Sequence, residues 1–299
     1  MELQTALTSG TRVSFAGGSL RETARVVFSG LAGDEHLVVT DLSPFHPQSL
    51  TWPDQPGDRG WMTLADGQKV AVLDSREGLL NLQTGILAIG DTARSLKRGD
   101  PDLVSVVLHV VQSAPAAGES VTLDVDRPFR ASLSVQHTGV HLAALALNQC
   151  AAAFWTKDPG DPDSLGAPNL DKAAVARSEI AVDTSTDHYR LGKSLRKKGF
   201  DAAAFLADLP GQVAAINTVL RGMLEVPAPV HVTPVEGPLG DRRLWTTRLN
   251  GAEVSMPCGG THVGHLSDLA SIEVELAATE EGFVMVTHSR QSSALPSAG

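Results

Sequence analysis

Two hydrophobic patterns divide the chain. Residues 11–40 and 61–125 contain short runs rich in β-branched residues, with Gly, Asp and Asn between them, and this pattern predicts strands. The clearest runs are Ala24–Phe28, Leu37–Thr40, Lys69–Leu73 and Leu103–Val111. We therefore predict a small, mainly β and barrel-like N-terminal domain over residues 1–125.

The pattern changes at Asp126. From Arg130 to about Trp155 the chain is rich in Ala and Leu, which favours a long helix. Asp126 is placed where it can cap that helix. The stretch Lys157–Pro168 is dense in turn-forming and polar residues and predicts a loop within the second domain.

The remainder of the chain mixes helices with alternating strands. Helices are predicted over Ser194–Phe205 and Gly211–Leu224, with Pro210 separating them. Strands are predicted at Leu244–Leu249, Ala270–Leu276 and Gly282–His288. The fold class is therefore predicted to be α+β, with residues 126–299 forming an α+β domain that contains an antiparallel sheet.

Two short motifs carry candidate metal chemistry. The predicted helix contains His137-Thr-Gly-Val-His141, and two histidines four residues apart lie on one face of a helix. A second motif, Cys258-Gly-Gly-Thr-His262, supplies a thiol and an imidazole from a turn in which glycines let the backbone bend. The histidine pair alone would more often be structural, but both motifs together predict a four-ligand zinc site.

Composition and charge limit the classes of partner. The chain has 299 residues, 42% of them hydrophobic, which is ample for a buried core. We find neither a run of about 18 apolar residues nor a secretory signal, so we expect a cytoplasmic protein with no membrane partner. Two cysteines are too few for a disulfide framework. The oligomeric state is left open.

A net charge of -10 argues against broad binding to nucleic-acid phosphates, although one stretch is locally basic. Its basic residues are Arg190, Lys193, Arg196, Lys197 and Lys198. Such a run is often only a solvated surface, and it becomes a candidate tRNA-binding surface if other features indicate a nucleic-acid partner.

The same motifs carry a family resemblance. His137-Thr-Gly-Val-His141 and Met256-Pro-Cys-Gly-Gly-Thr-His262 resemble the editing domain of alanyl-tRNA synthetase and the free-standing AlaX-type trans-editing proteins. A third segment, Ser43-Pro-Phe-His-Pro47 followed by Gly57-Asp-Arg-Gly60, is similar to the family's Thr-x-Phe-Tyr-Pro and Asp-x-Gly stretches. The resemblance covers residues 20–290, lacks the synthetase's catalytic and anticodon-recognising parts, and implies a free-standing protein.

The resemblance implies an enzyme that hydrolyses the ester between a wrong amino acid and the terminal adenosine of a tRNA, so the partner is the acceptor end of a mischarged tRNA. It implies substrate-binding residues in the third segment. The candidate catalytic residues are chosen because they adjoin the metal ligands, where Thr138 and Thr261 could hold a ligand, a water or the substrate carbonyl or only cap local backbone, and Gln136 could point to the cleft or to solvent. The first group is Ser43, Phe45, His46, Asp58 and Gly60, and the second is Gln136, Thr138 and Thr261. Four protein ligands fill a zinc tetrahedron and leave no open position. Zinc could activate water or polarise the ester only if its coordination expands or one ligand is loose; otherwise it orients the substrate.

The segment that shapes the amino-acid pocket departs from the family. Gln48–Pro56 is longer than the family's counterpart, lacks its paired glycines and contains Trp52, while Ser43 and His46 replace a threonine and a tyrosine. Seryl- or glycyl-tRNA(Ala) is the default substrate. Ser43 is one methyl group smaller than the threonine that the family has at this position, which would enlarge the amino-acid pocket. The alternative substrate is therefore threonyl-tRNA or a threonine analogue such as fluorothreonyl-tRNA.

Two other classes of function stay open. Closed four-ligand zinc sites are often structural, so the protein could be a non-catalytic tRNA-binding module. It could also be a metal-dependent hydrolase of small esters or amides, for which the basic stretch has no role.

Overall fold

The computed structural model describes residues 1–97 and 99–293. The strands are β1 (Glu2–Gln4), β2 (Arg12–Val13), β3 (Arg21–Ala32), β4 (Glu35–Thr40), β5 (Leu42–Ser43), β6 (Gly60–Thr63), β7 (Lys69–Asn81), β8 (Ile86–Ala88), β9 (Leu103–Val111), β10 (Ser120–Val125), β11 (Val175–Ile180), β12 (Ser185–Arg190), β13 (His231–Thr233), β14 (Gly237–Pro238), β15 (Leu244–Leu249), β16 (Ala252–Pro257), β17 (Leu269–Ala278) and β18 (Gly282–Gln291). The helices are α1 (Asp91–Ser95), α2 (Arg127–Ala151), α3 (Leu170–Ala174), α4 (Lys193–Lys197), α5 (Ala202–Ala207) and α6 (Leu209–Leu224). The fold is α+β, with mainly antiparallel sheets.

The chain forms two compact units. The first consists of Met1–Arg130, Val232–Arg243 and Cys258–Thr261. The second consists of Ala131–His231, Leu244–Pro257 and the described residues from 262 onward. Each unit is therefore assembled from segments that are distant in sequence.

The first unit is built on one large sheet. Among its described residues, eight strands pair in the order β1-β8-β7-β6-β10-β3-β4-β9, and β9 also pairs with β7. Strand β7 pairs with three strands, with β6 at Lys69–Val72, with β9 from Val72 to Asn81 and with β8 at Leu79–Asn81. A β-bulge after Val72 interrupts the pairing of β7 with β9. The core of this unit includes Val26, Val38, Phe45, Met62 and Leu123.

The second unit contains an antiparallel sheet in the order β11-β12-β18-β17. Phe283 on β18 stacks on Tyr189 at 4.6 Å between ring centroids and contacts Phe205 of α5 at 5.3 Å. Helix α6 is joined to β17 through Asn217, whose amide exchanges two hydrogen bonds with the backbone of Val274. These contacts bury aromatic and aliphatic side chains between helices and sheet.

Strands β15 and β16 form a tight hairpin. Their pairing runs from Leu244 opposite Pro257 to Leu249 opposite Ala252. The turn is Asn250-Gly251, with φ angles of 50° and 85°. This dipeptide favours a two-residue hairpin because both positions need positive φ.

Two predicted strands are confirmed, and two predictions about the helices are wrong. The bounds of β9 and β15 are those predicted. Pro210, however, does not separate two helices, because it lies in the first turn of α6, where proline is tolerated, and Asp208 caps that helix. The single helix predicted over Ser194–Phe205 is instead two helices, α4 and α5. Gly199, at φ 103°, ends the first, and the Asp201 carboxylate caps the second by accepting the N–H of Ala204.

Within residues 1–97 and 99–293, no helix is long and apolar enough to cross a bilayer.

Candidate metal centre

Helix α2 presents the first pair of candidate ligands. The carboxylate of Asp126 accepts the N–H of Phe129 at 3.1 Å, which caps the helix as predicted. The next turns bring His137 and His141 together, with ring centroids 5.0 Å apart. The i, i+4 spacing therefore places both imidazoles on one face of α2.

The other two candidate ligands follow the β15–β16 hairpin. Cys258 comes directly after Pro257, the last residue of β16, so the end of this strand determines the position of the Cys258 backbone. The backbone then turns through Gly259 and Gly260, and the N–H of Gly260 lies 3.5 Å from the sulfur of Cys258. Two residues later the chain reaches His262.

These four side chains form a group that could hold a metal ion. One ligand atom from each of His137, His141, Cys258 and His262 lies within 4.8 Å of the others. The ring of His262 is 4.3 Å from that of His137 and 4.7 Å from that of His141. The fully buried indole of Trp245 packs against His141 at 4.9 Å and shields the group on that side.

Burial sets the protonation of two of these groups. Loss of hydration lowers the pKa of His141 to about 4, so its imidazole is neutral at pH 7 and can donate an electron pair. Burial raises the pKa of the Cys258 thiol to about 12, with the Asp54 carboxylate raising it further and the Gly260 N–H opposing the shift. A cation at this site would offset that cost because it binds the thiolate.

Thr138 orients one of the histidines. Its hydroxyl donates to the carbonyl of Ser134 at 2.8 Å and accepts the N–H of Val263 at 3.1 Å. The same oxygen lies 3.2 Å from Nδ1 of His262. Because the single hydroxyl proton is used by Ser134, Nδ1 of His262 is the donor, which leaves Nε2 to bind an ion. Thr138 itself has no exposed surface.

Gln136 and Gly139 hold α2 against β18. The amide of Gln136 donates to the carbonyl of Ser289 at 2.8 Å and accepts its N–H at 3.2 Å. A Cβ on Gly139 would lie 1.8 Å from Oγ of Ser289, so glycine permits the close approach. The structure thus gives Gln136 a packing contact, and its predicted catalytic role stays a prediction.

Thr261 has a partner that the sequence pattern did not indicate. Nε2 of the buried Gln55 donates to Oγ1 of Thr261 at 2.9 Å, across 206 positions in sequence. Beside it, burial raises the pKa of Asp54 to about 6, opposed by hydrogen bonds from the Gln55 N–H and the Trp52 side chain. In the sequence, the unusual length of Gln48–Pro56 sets this segment apart, but no periodicity in it predicts a contact with Thr261.

The predicted substrate-binding residues are mostly enclosed in the first unit. Ser43 is fully buried, and its hydroxyl lies 2.9 Å from Nε2 of His109 and accepts the N–H of Phe45 at 3.1 Å. The ring of Phe45 belongs to the core, and His46 is 8% exposed. A Cβ on Gly60 would lie 2.1 Å from a backbone oxygen. Their roles in substrate binding stay predictions.

Asp58 is the centre of a buried ion pair. Both of its carboxylate oxygens accept hydrogen bonds from Arg130, which also donates to the carbonyl of Pro44 at 2.7 Å. The N–H of His46 donates to the same carboxylate. Asp58 and Arg130 therefore fix the path of the Ser43–Pro47 segment.

The basic residues lie on and beside α4 in the second unit. Lys193, Arg196 and Lys197 are exposed on the helix, Lys198 follows it, and the buried Leu195 anchors it. Arg190 differs from the others because its guanidinium is paired with Glu281 at 2.9 Å. The surface is available, and its predicted role in tRNA binding stays a prediction.

Comparisons with known proteins relate the chain to an aminoacyl-tRNA synthetase. No model of a protein family matches the chain. The chain is similar to an alanine–tRNA ligase of Desulfosudis oleivorans, with 28% identity over 177 residues. The match covers 56% of this chain and 16% of that enzyme's length. The chain is thus weakly homologous to alanyl-tRNA synthetase, which is consistent with the resemblance to AlaX-type editing domains.

Proposed function

We propose that the protein is a trans-editing aminoacyl-tRNA deacylase. It hydrolyses the ester that links a wrong amino acid to the 3′ adenosine of a tRNA, and it depends on zinc. The observation that carries the proposal is the grouping of His137, His141, Cys258 and His262 in a chain homologous to alanyl-tRNA synthetase.

The donor set supports zinc as the ion. Three imidazole nitrogens and one thiolate sulfur are ordinary ligands of tetrahedral zinc, for which ligand atoms lie about 3.3–3.7 Å apart. The four donors are already within 4.8 Å of one another. Nδ1 of His141 is buried and has no hydrogen-bond partner among the described residues, as expected of a nitrogen kept for an ion.

The protein's own residues prepare the site. Bound zinc would supply positive charge that polarises the ester carbonyl or orients the substrate's amino group. Thr138 holds His262 in one tautomer, and Trp245 keeps water from one side of the imidazoles. Helix α2 is thereby the zinc-binding helix of the proposal.

For the substrate, we propose seryl- or glycyl-tRNA(Ala), with threonyl-tRNA or a threonine analogue as the alternative. The resemblance supports the first, and the altered Gln48–Pro56 segment supports the second. The hydroxyl of Ser43 is engaged by His109 and Phe45, so it would have to turn to contact a substrate. Substrate choice therefore depends on residues around it as well.

Two features of the fold belong to the same proposal. The pairings β7-β6-β10-β3-β4-β9, together with the pairing of β9 with β7, support a barrel-like N-terminal domain. The exposed residues Lys193, Arg196, Lys197 and Lys198 are proposed to contact acceptor-stem phosphates.

A deacylation panel tests the proposal. Purified protein is incubated with tRNAs charged with serine, glycine, alanine, threonine and fluorothreonine, and with a free amino-acid ester. We expect release from at least one mischarged tRNA and much slower release from the free ester. Rapid hydrolysis of the ester alone would favour a small-ester hydrolase, and tRNA binding without any release would favour the non-catalytic module.

The metal requirement has a matched control within the chain. Cys258→Ala should lower bound zinc and deacylation together, because it removes one of four ligands. Cys150→Ala, at the other cysteine, should leave both unchanged. Zinc content is measured by elemental analysis of the purified variants. Full deacylation by a zinc-free Cys258→Ala protein would refute zinc dependence.

A further inference from the structure

Trp52 is a large aromatic side chain on the surface of the first unit. It is 43% exposed and lies in the Gln48–Pro56 segment, which has no regular secondary structure over most of its length. A single exposed hydrophobic residue needs no explanation by itself. Two properties of Trp52 do need one, namely how firmly it is held and where it lies.

The backbone around Trp52 is fixed by side chains. Oγ of Ser49 accepts the N–H groups of Thr51 at 3.2 Å and of Trp52 at 3.4 Å. The N–H of Leu50 donates to the carboxylate of Glu77 at 2.9 Å. These bonds satisfy the backbone of the loop and hold Trp52 on a defined path.

The indole ring is also held by its polar edge. A hydrogen bond from the Trp52 side chain lowers the pKa of the Asp54 carboxyl, and the indole N–H is the only hydrogen-bond donor of a tryptophan side chain. That carboxylate also accepts the N–H of Gln55 at 2.8 Å. What the ring offers to a partner is therefore its apolar face.

The loop reaches the turn that carries two of the metal ligands. Gln55 donates to Thr261, the residue before His262, and the Asp54 carboxylate acts electrostatically on Cys258. Three residues of chain span at most about 11 Å, so the Trp52 backbone lies within that distance of Gln55. The exposed residue Trp52 thus lies near the Cys258–Thr261 turn of the first unit.

We propose that the indole of Trp52 is a platform on which an unpaired base of the tRNA 3′ end stacks, either the terminal adenine or the cytosine before it. This inference rests on the proposed function. Unpaired bases stack on exposed aromatic rings without regard to sequence. Stacking also needs no positive charge, which suits a protein of net charge -10.

Intrinsic fluorescence tests the contact without any need for turnover. The probe is an RNA hairpin that carries no amino acid and ends in single-stranded CCA. Its control is the same hairpin without those three nucleotides. Stacking should quench the indole, so wild-type emission should fall with the first RNA only. Trp52→Phe should abolish this quenching, whereas Trp61→Phe should keep it. Trp61 is a matched control because it is 45% exposed and lies on β6. Equal quenching in both variants would overturn the proposal.

Kinetics separate stacking from a merely structural role. Trp52→Ala should raise KM for the mischarged tRNA about 5- to 100-fold, the range expected for one lost stack, with a smaller change in kcat. Trp52→Phe should recover most of the loss, and Trp61→Ala should behave as wild type. Zinc content and melting temperature should not change.

A substrate without a base completes the test. On a free amino-acid ester, wild type and Trp52→Ala should have the same kcat/KM. An equal loss on this ester would mean that Trp52 contacts the amino acid or the metal turn, and it would overturn the base-stacking proposal. If the wild type deacylates tRNA but Trp52→Ala matches Trp61→Ala, only this inference fails. If the wild type deacylates nothing, the proposed function fails, and the fluorescence result alone decides the role of Trp52.

Discussion

At the scale of single residues, Thr138 shows how a neighbour of a ligand can determine the ligand's chemistry. Its hydroxyl is shared by Ser134, Val263 and His262, so one buried atom connects two turns of α2 with the segment that carries the fourth ligand. A residue in that position acts through His262 and needs no contact with substrate.

Thr138→Val should weaken zinc binding about 10- to 100-fold, because it removes the partner that fixes the His262 tautomer. Valine has nearly the same shape, so the packing of α2 is preserved. Zinc affinity is measured by competition with a chromophoric chelator. Thr138→Ser, which keeps the hydroxyl, should retain most of the affinity. Equal affinities for the valine variant and the wild type would show that Thr138 does not orient His262.

His109 is a second residue whose environment has a measurable effect, in this case on the pH dependence of stability. It is fully buried between Ser43 and the carbonyl of Val38, and burial lowers its pKa to about 4. The unfolded chain, with an ordinary histidine pKa near 6.5, takes up the proton first as the pH falls. The contribution of His109 to the stability of the folded protein is thus complete above about pH 6.5 and is lost as the pH falls toward 4.

The free energy of unfolding should therefore fall by about 3 kcal/mol from this residue between about pH 7.5 and pH 4. Urea unfolding of the wild type and of His109→Gln at several pH values measures it. The variant is less stable at neutral pH, but its stability should depend less on pH. His231→Gln, at an exposed position on β13, should keep the wild-type dependence. Parallel curves for the wild type and His109→Gln would exclude His109 as a source.

At the scale of elements, the start of α2 is fixed by charge. Asp126 caps the helix, and Arg130 in its first turns pairs with Asp58, whose side chain is completely buried. Removal of one partner of a buried pair leaves the other charge without compensation.

Asp58→Asn should therefore lower the free energy of unfolding by about 3–5 kcal/mol. Replacement of both partners, as Asp58→Asn with Arg130→Met, should recover part of the loss because no buried charge remains. Chemical denaturation of the two single variants and the double variant gives the coupling energy. Strictly additive effects would mean that the pair does not contribute as a unit.

The elements also show what local sequence can predict. Strands such as β9 and β15 follow from their own residues, because runs of β-branched side chains specify an extended backbone. The separation of α4 from α5 was missed because helix propensity over Ser194–Phe205 is high on average. Within this stretch, Gly199 at positive φ ends one helix and the Asp201 side chain caps the start of the next.

At the scale of the whole molecule, the grouping of the four candidate metal ligands could be predicted because each pair lies within one short motif. His137 and His141 depend only on helical spacing, and Cys258 and His262 only on one turn. The contact of Gln55 with Thr261 joins residues 206 positions apart, and the burial of Ser43 depends on His109 from another strand. Such contacts are products of tertiary packing, which no local pattern encodes.

The overall charge makes the basic surface around α4 the place to test RNA binding. A protein with net charge -10 repels phosphates over most of its surface, so affinity for a tRNA must depend on few contacts. Each phosphate contact that is lost reduces the slope of log K against log salt by about 0.9 for a duplex. If Arg196, Lys197 and Lys198 each contact the acceptor stem, their neutralisation to Gln should reduce the slope by about 2–3.

The matched control neutralises three exposed cations elsewhere, Arg25, Lys69 and Arg248, and changes the net charge equally. Binding of tRNA is measured by fluorescence anisotropy over a range of salt concentrations, with zinc content checked in every variant. Local contacts predict a flatter slope for the α4 variant only, because counterions are released only where phosphates are touched. A long-range field of the whole protein would instead weaken both variants alike, since each carries the same added negative charge. Equal slopes in the two variants would therefore place the tRNA on another surface.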